Sequence, residues 1–287
     1  MKNNFLKRIF SLTMVIMLVL SMLPTNVFAE TVAQNTTVDT TDPNYCPHCN
    51  KVLAADEWLA WNATNVAAGG HYRLTSSFTL SSQVTIAVGA DTVIDLAGFT
   101  ITGKYPTTIA TNTASGSTRL FWVKGELSVL DSTATTADGV YTSGALYGGY
   151  INNGATTQGG PKGGNVYVDA GATFNLYSGT VRGGRVRGGG QASHRFGGNV
   201  YGYPGSEINM YGGEISGGTI VQGSYLNSTN DWGYHGGCNI GSFGDVNIYG
   251  GTIKDGYLDN WTPDSNYRSN GIAGGNISVL AGTGLDG

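Results

Sequence analysis

Residues 163 to 184 read GGNVYVDAGATFNLYSGTVRGG, and close relatives of this string return downstream. They are GGNVYGYPGSEINMYGGEISGG from Gly197 to Gly218 and GGCNIGSFGDVNIYGGTIKDG from Gly236 to Gly256, and GGNISV opens a further copy at Gly274. The steps between Asn165, Asn199, Asn239 and Asn276 are 34, 40 and 37 residues. A repeated unit therefore carries insertions of unequal length, and a period in this range restricts the chain to a solenoid or a propeller.

Local patterning separates the two. A propeller blade takes four antiparallel strands, with hairpin signals such as Asn-Gly at the reversals. Asn153-Gly154 and Asn270-Gly271 are the only Asn-Gly pairs, and neither lies between two strands of a unit. The 22 residues from Gly163 to Gly184 instead supply two or three short strands joined by tight bends, which suits one coil of a parallel β-helix. The 46 glycines of the chain serve the bends, where a positive φ turns the backbone without steric cost. No Gly-X-Y period accompanies them, which excludes collagen.

Within a unit, side-chain parity is readable. Phe174 and Leu176, with Ile208 and Met210, and Val246 and Ile248, sit two apart and share one face. Asn175, Asn209 and Asn247 fall on the other, beside Tyr177, Tyr211 and Tyr249. Stacked in register about 4.8 Å apart, the apolar set forms an interior column, and the amides and rings form exterior ladders. Less regular copies precede these: Val84 to Val88 with Val93 to Leu96, and Leu120 to Val123 with Leu127 to Leu130. Five units and an incomplete sixth result.

The start of the chain reads as an address. Lys2, Lys7 and Arg8 precede an apolar run from Phe10 to Leu23, and Val27-Phe28-Ala29 supplies small residues for cleavage, so residues 1–29 are expected to be a signal peptide. The membrane is then met only during export, and the mature protein is secreted or held at the cell surface. Removing three of the 15 basic residues leaves 12 against 19 acidic ones, a net charge of −7, which argues against nucleic acid as a partner. Residues 30–44 are Thr-, Asn- and Asp-rich and read as a disordered linker. Residues 45–81 form a small N-terminal cap with two tryptophans, Trp58 and Trp61, and residues 82–287 form the coils. The coil begun at Gly274 has no visible cap, so either a longer C-terminal region follows or the last coil frays or pairs with another chain.

The three cysteines divide into a pair and a single residue. Cys46-Pro47-His48-Cys49 is half of a zinc site or a short disulfide, or it carries two free thiols. His71 is the nearest further ligand, and His48 within the motif is another candidate. Cys238 stands at a Gly-Asn junction of the repeat and reads as a small apolar core residue.

Insertions leave successive units at the same place: Arg185 to Phe196, Thr219 to His235 and Tyr257 to Ala273. Loops at one corner of a stack lie side by side, so their residues share a surface. The candidate ligand-binding set is Tyr225, Asp231, Trp232, Tyr234, His235, Asp259, Trp261, Tyr267 and Arg268. Aromatic faces beside Asp, Asn and Arg suit carbohydrate, and packing of the loops onto the coil is the competing role. A lyase would need an acidic cluster for Ca²⁺ and a basic residue, drawn here from Asp231, Asp259 and Asp264 with Arg268 or His235. Arg182, Arg185 and Arg187 make a basic cluster expected at an exposed edge, as solvated corner residues or as a contact for anionic polymer.

The Gly163 to Gly184 unit and its copies, preceded by HYRLTSSFTLSSQVTIAVGADTVIDLAGFTITG from His71 and by the CPHC and tryptophan elements, resemble a known group. They are similar to the right-handed parallel β-helix regions of secreted and cell-surface proteins of Gram-positive Firmicutes, within the pectate-lyase-like superfamily. The resemblance implies an all-β, right-handed, single-stranded parallel β-helix with an adhesin-like or glycan-associated role. Partners would be extracellular glycans or a host or cell-wall surface. The alternative on the same scaffold is a polysaccharide lyase or glycoside hydrolase acting on acidic polysaccharide.

Overall fold

A computed structural model describes residues 38–104, 118–152, 162–188, 194–222, 234–259 and 271–280. The chain divides into two units at Asp39 and Thr40, and the architecture below belongs to the second, Thr40–Gly287. It is all-β, with five parallel sheets that repeat through the coils, as a β-solenoid requires, and two antiparallel hairpins outside them, Tyr45–Cys46 with Lys51–Val52 and Thr135–Ala137 with Val140–Thr142.

Three sheets carry the core. The seven-stranded one stacks Leu59–Ala60, Gly70–Arg73, Asp91–Asp95, Glu126–Leu130, Thr173–Leu176, Glu207–Met210 and Asp245–Ile248. A second runs from Phe78–Leu80 to Thr252–Lys254, and a third from Val84–Ile86 to Ile277–Val279, with six strands each. The third therefore shows six rungs, matching five units and the opening of a sixth. Rungs are already paired at Leu59, upstream of residue 82, because Trp61, Tyr72, Leu74 and Leu80 carry the apolar column that far.

Register follows the parity of the sequence. Phe174 pairs with Ile208 and Leu176 with Met210, and all four are almost wholly buried in the main core. Each such burial contributes about 2–3 kcal/mol. Ile248, on the last described rung of its sheet, is 47% exposed, since no further rung covers it among the described residues.

The 22-residue unit is less than a full coil. Arg185–Gly188, Thr219–Gln222 and Tyr257–Asp259, read above as the starts of insertions, are strands that pair in parallel with each other and with Tyr150–Asn152. Arg195–Phe196, Tyr234–Gly236 and Gly271–Ala273 form another parallel sheet where the insertions return. Only the middles of the insertions lie outside the described residues. These strands exist because Val186 and Ile220 turn inward onto Cys238, which packs there as the small apolar residue expected. The arginines flanking Val186 concealed that pattern. Arg182 is exposed, its guanidinium 5.3 Å from the centroid of the Tyr147 ring, whereas Arg187 is buried, so the three arginines do not form one exposed edge.

A buried peg holds the corner between the second sheet and the four-stranded one. Asn165 donates to Asn199 Oδ1 (2.8 Å), Asn199 to Asn239 Oδ1 (2.7 Å) and Asn239 to Asn276 Oδ1 (2.8 Å). Each also caps its own coil. Asn199 donates to the Ser216 carbonyl at 2.8 Å and accepts from the Gly184 amide at 2.7 Å. An amide fully bonded in this way avoids the cost of a buried polar group, and it ties two coils at once.

Candidate metal centre and ligand face

The N-terminal hairpin, Tyr45–Cys46 against Lys51–Val52, folds back on the outer face of the seven-stranded sheet. Cys46, Leu53 and Trp58 pack there against Val93 and Leu130, with Cys49 and Tyr177 alongside. Trp61 faces the other way, into the solenoid core, so the two tryptophans pack on opposite sides of the first rungs. Arg73 fastens the lead-in to the hairpin. It donates to Asp95 Oδ2 (2.7 Å), to Asn44 Oδ1 (2.9 Å) and to the Pro43 carbonyl (2.6 Å).

This docking brings Cys46, Cys49 and His71 together, with their donor atoms all within 4.8 Å of one another. Cys49 Sγ lies 2.9 Å from His71 Nε2, and the Cys49 amide donates to Cys46 Sγ at 3.4 Å. The turn is completed by Asn50 at φ 51°, a left-handed conformation that Asn tolerates better than most residues. An amide aimed at sulfur stabilises a thiolate, the form that binds metal. Without an ion, burial pushes the Cys46 thiol up to about 12, and burial likewise lowers His71. No disulfide joins the two in this structure. These residues would supply three of the four donors of a tetrahedral zinc ion, with the fourth position left to water, after Cys49 and His71 open by about half an ångström.

His48 is not in this triad. Its Nε2 lies 3.1 Å from Asp91 Oδ2, its Nδ1 is 3.1 Å from Ser128 Oγ, and Glu126 Oε1 is 3.7 Å from Nδ1. Asn175 in turn donates to Glu126 (2.8 Å) and to Ser128 (3.0 Å). Asp91 and Glu126 were not read as site residues in the sequence. The signal was there, since each is the first strand residue after a turn, and the two are register partners.

The exterior ladders occupy the same sheet further along. Asn209 donates to Asn175 (3.0 Å) and Asn247 to Asn209 (2.9 Å). Tyr177, Tyr211 and Tyr249 stack with centroids 4.7 and 4.9 Å apart at interplanar angles of 7° and 10°. Burial first, then the neighbouring Tyr211, raises Tyr177 to about 12.

The sequence-derived ligand set is described only in part. Tyr225, Asp231, Trp232, Trp261, Asp264, Tyr267 and Arg268 lie outside the described residues. Tyr234 and Asp259 are placed in the strands Tyr234–Gly236 and Tyr257–Asp259. His235 is buried, 3.2 Å from Arg195 Nη1, and burial followed by the charges of Arg195 and His194 drives its pKa down to about 3. Its ring is thus held against Arg195 at the root of the insertion. The roots of the insertions are aligned at both ends. Arg185, Thr219 and Tyr257 are register partners where they leave, as are Arg195 and His235, then His235 and Ile272, where they return.

No family model matches the chain, and comparison with curated proteins and with solved structures gives no match.

Proposed function

We propose that this chain is an exported, surface-associated β-solenoid that binds and displays, in the manner of the adhesin-like members of the pectate-lyase-like superfamily in Firmicutes, rather than one that catalyses. Its ligand is an extracellular polysaccharide held against the insertions, with Trp232, Trp261, Tyr225 and Tyr267 stacking on sugar faces. Tyr234, Asp231, Asp259 and Arg268 take the hydroxyl and acidic groups. His235, being buried, positions the return strand instead. The observation that supports this reading is the in-register alignment of the insertion roots, Arg185 with Thr219 with Tyr257. A glycan array comparing the wild type with the Trp232→Ala, Trp261→Ala double variant tests it. Loss of signal is expected, and equal binding by both removes these residues from the site.

Zinc is the ion proposed for Cys46, Cys49 and His71. Two thiolates and an imidazole suit it better than hard cations, and its role here is to hold the hairpin on the solenoid. Metal analysis of the purified mature protein tests this, with one equivalent of zinc expected. No zinc with both thiols intact sinks it.

A further inference from the structure

We infer that His48, although it sits between the two cysteine ligands, is the outer-sphere residue that couples the metal centre to the next two coils. Metal binding then locks the hairpin across three rungs of the sheet. This rests on the zinc reading above and adds to it what the metal is connected to.

Three observations converge. First, the ligands come from two places, the Cys46–Cys49 turn and His71 on the strand Gly70–Arg73, so an ion there joins the hairpin to one rung only. Second, His48 is committed elsewhere through both ring nitrogens. Nε2 meets Asp91 on the adjacent rung, and Nδ1 meets Ser128, with Glu126 behind it, on the rung after that. With the proton on Nε2 the ring donates to Asp91 and accepts from the Ser128 hydroxyl, which leaves no nitrogen to ligate. Third, only Pro47 separates His48 from Cys46, while His48 directly precedes Cys49. A ring fixed to the sheet at both ends therefore fixes the turn from which both thiolates project. Outer-shell partners that orient ligands in this way typically change metal affinity ten- to a hundredfold.

Coupling runs in both directions, because whatever metal gains from a fixed turn, the turn gains from metal. The ion thus stabilises contacts it never touches, namely those of Leu53 and Trp58 with Val93, Leu130 and Tyr177. Loss of the ion would loosen an apolar strip continuous with the exposed Tyr211 and Tyr249.

The test uses the full chain with Zn²⁺ and Co²⁺ as probes. Zinc affinity is measured by chelator competition for the wild type, for His48→Ala and for the Asp91→Ala, Ser128→Ala double variant, which keeps the imidazole. Both variants are expected to retain one equivalent with affinity reduced about tenfold or more. Their Co²⁺ spectra should keep the wild-type thiolate charge-transfer and d–d bands. Amide exchange of residues 42–53 should slow on zinc addition in the wild type and much less in the variants. Wild-type affinity and protection in either variant would overturn the coupling while leaving the zinc site standing. An altered Co²⁺ spectrum in His48→Ala would make His48 a ligand and overturn the assignment. Failure of the wild type to bind zinc would remove the metal reading itself, which is a distinguishable result.

Discussion

The side-chain amide of Asn199 donates to Asn239 Oδ1 at 2.7 Å while its own oxygen receives the Asn165 amide at 2.8 Å, so one buried residue is bonded to the coil on each side of it. Replacing it with Asp keeps size and acceptor but removes both donors. The Ser216 carbonyl and Asn239 Oδ1 each then lose one of two donors, keeping the Gly183 and Gly218 amides, and Asn239 Oδ1 is left facing a buried charge. Each lost partner costs about 1–3 kcal/mol, so Asn199→Asp is expected to destabilise by about 3 kcal/mol or more. Asn247→Asp, on the half-buried end of the exterior ladder, should cost under about 1 kcal/mol. Denaturant unfolding of the two variants checks the contrast.

Two glycines with similar backbone conformations make a second comparison. Gly197 (φ 63°) has no room for a side chain, since an added Cβ would strike the Val200 carbonyl oxygen and lie 3.0 Å from Tyr201 Cα. Gly205 (φ 78°) faces open space. Gly205→Ala should therefore cost only the left-handed strain, about 1 kcal/mol, and Gly197→Ala about 3 kcal/mol or more. Thermal unfolding of both decides whether the close approach matters beyond φ.

The buried His235 gives a pH dependence with a defined sign. Its pKa falls from 6.5 in the unfolded chain to about 3 in the fold, so between these values the unfolded state binds the extra proton. Its neutral form is accommodated fully above about pH 6.5, and stability is lost progressively as pH drops from there toward 3. The wild type should therefore lose melting temperature more steeply from pH 6.5 to 4 than His235→Gln, which does not titrate. Parallel slopes would show that His235 is not protonated on unfolding.

Chelation should act on the N-terminal end. With zinc at a thousandfold over Kd, binding adds about 4 kcal/mol to the unit that holds it. A chelator should lower the melting temperature by several degrees and speed proteolysis within 42–53. Cys46→Ser should abolish the zinc-dependent shift, whereas Cys238→Ser, in the separate core formed with Val186 and Ile220, should retain it.

The repeat made the core legible. The two-residue alternation of Phe174 and Leu176 with Ile208 and Met210 gave faces, register and both exterior ladders, because period-2 patterning is fixed by the strand backbone itself. Coil length was less visible. Arg185-Val186-Arg187 looks like a charged loop until Val186 is seen to face Cys238, a contact about 50 residues away that local patterning does not encode. Of the candidate site, the approach of Cys46 and Cys49 to His71 followed from the motif. The placement of His48 against Asp91 and Ser128 did not, since it depends on how a hairpin lies across a sheet. The burial of His235 beside Arg195 was likewise not legible, since its neighbours in sequence are aromatic and acidic.

The asparagine corner has an implication for how such a chain can diversify. Coils of 34, 40 and 37 residues arrive at the same hydrogen-bonded position, so the amide acts as a sprocket tooth that resets phase on every turn. Residues added to an insertion are taken up as slack before the next tooth engages. Rungs on either side stay in step whatever the loop between them does. The scaffold thereby uncouples its own regularity from the surface it carries, leaving that surface free to change from coil to coil without putting the stack out of phase.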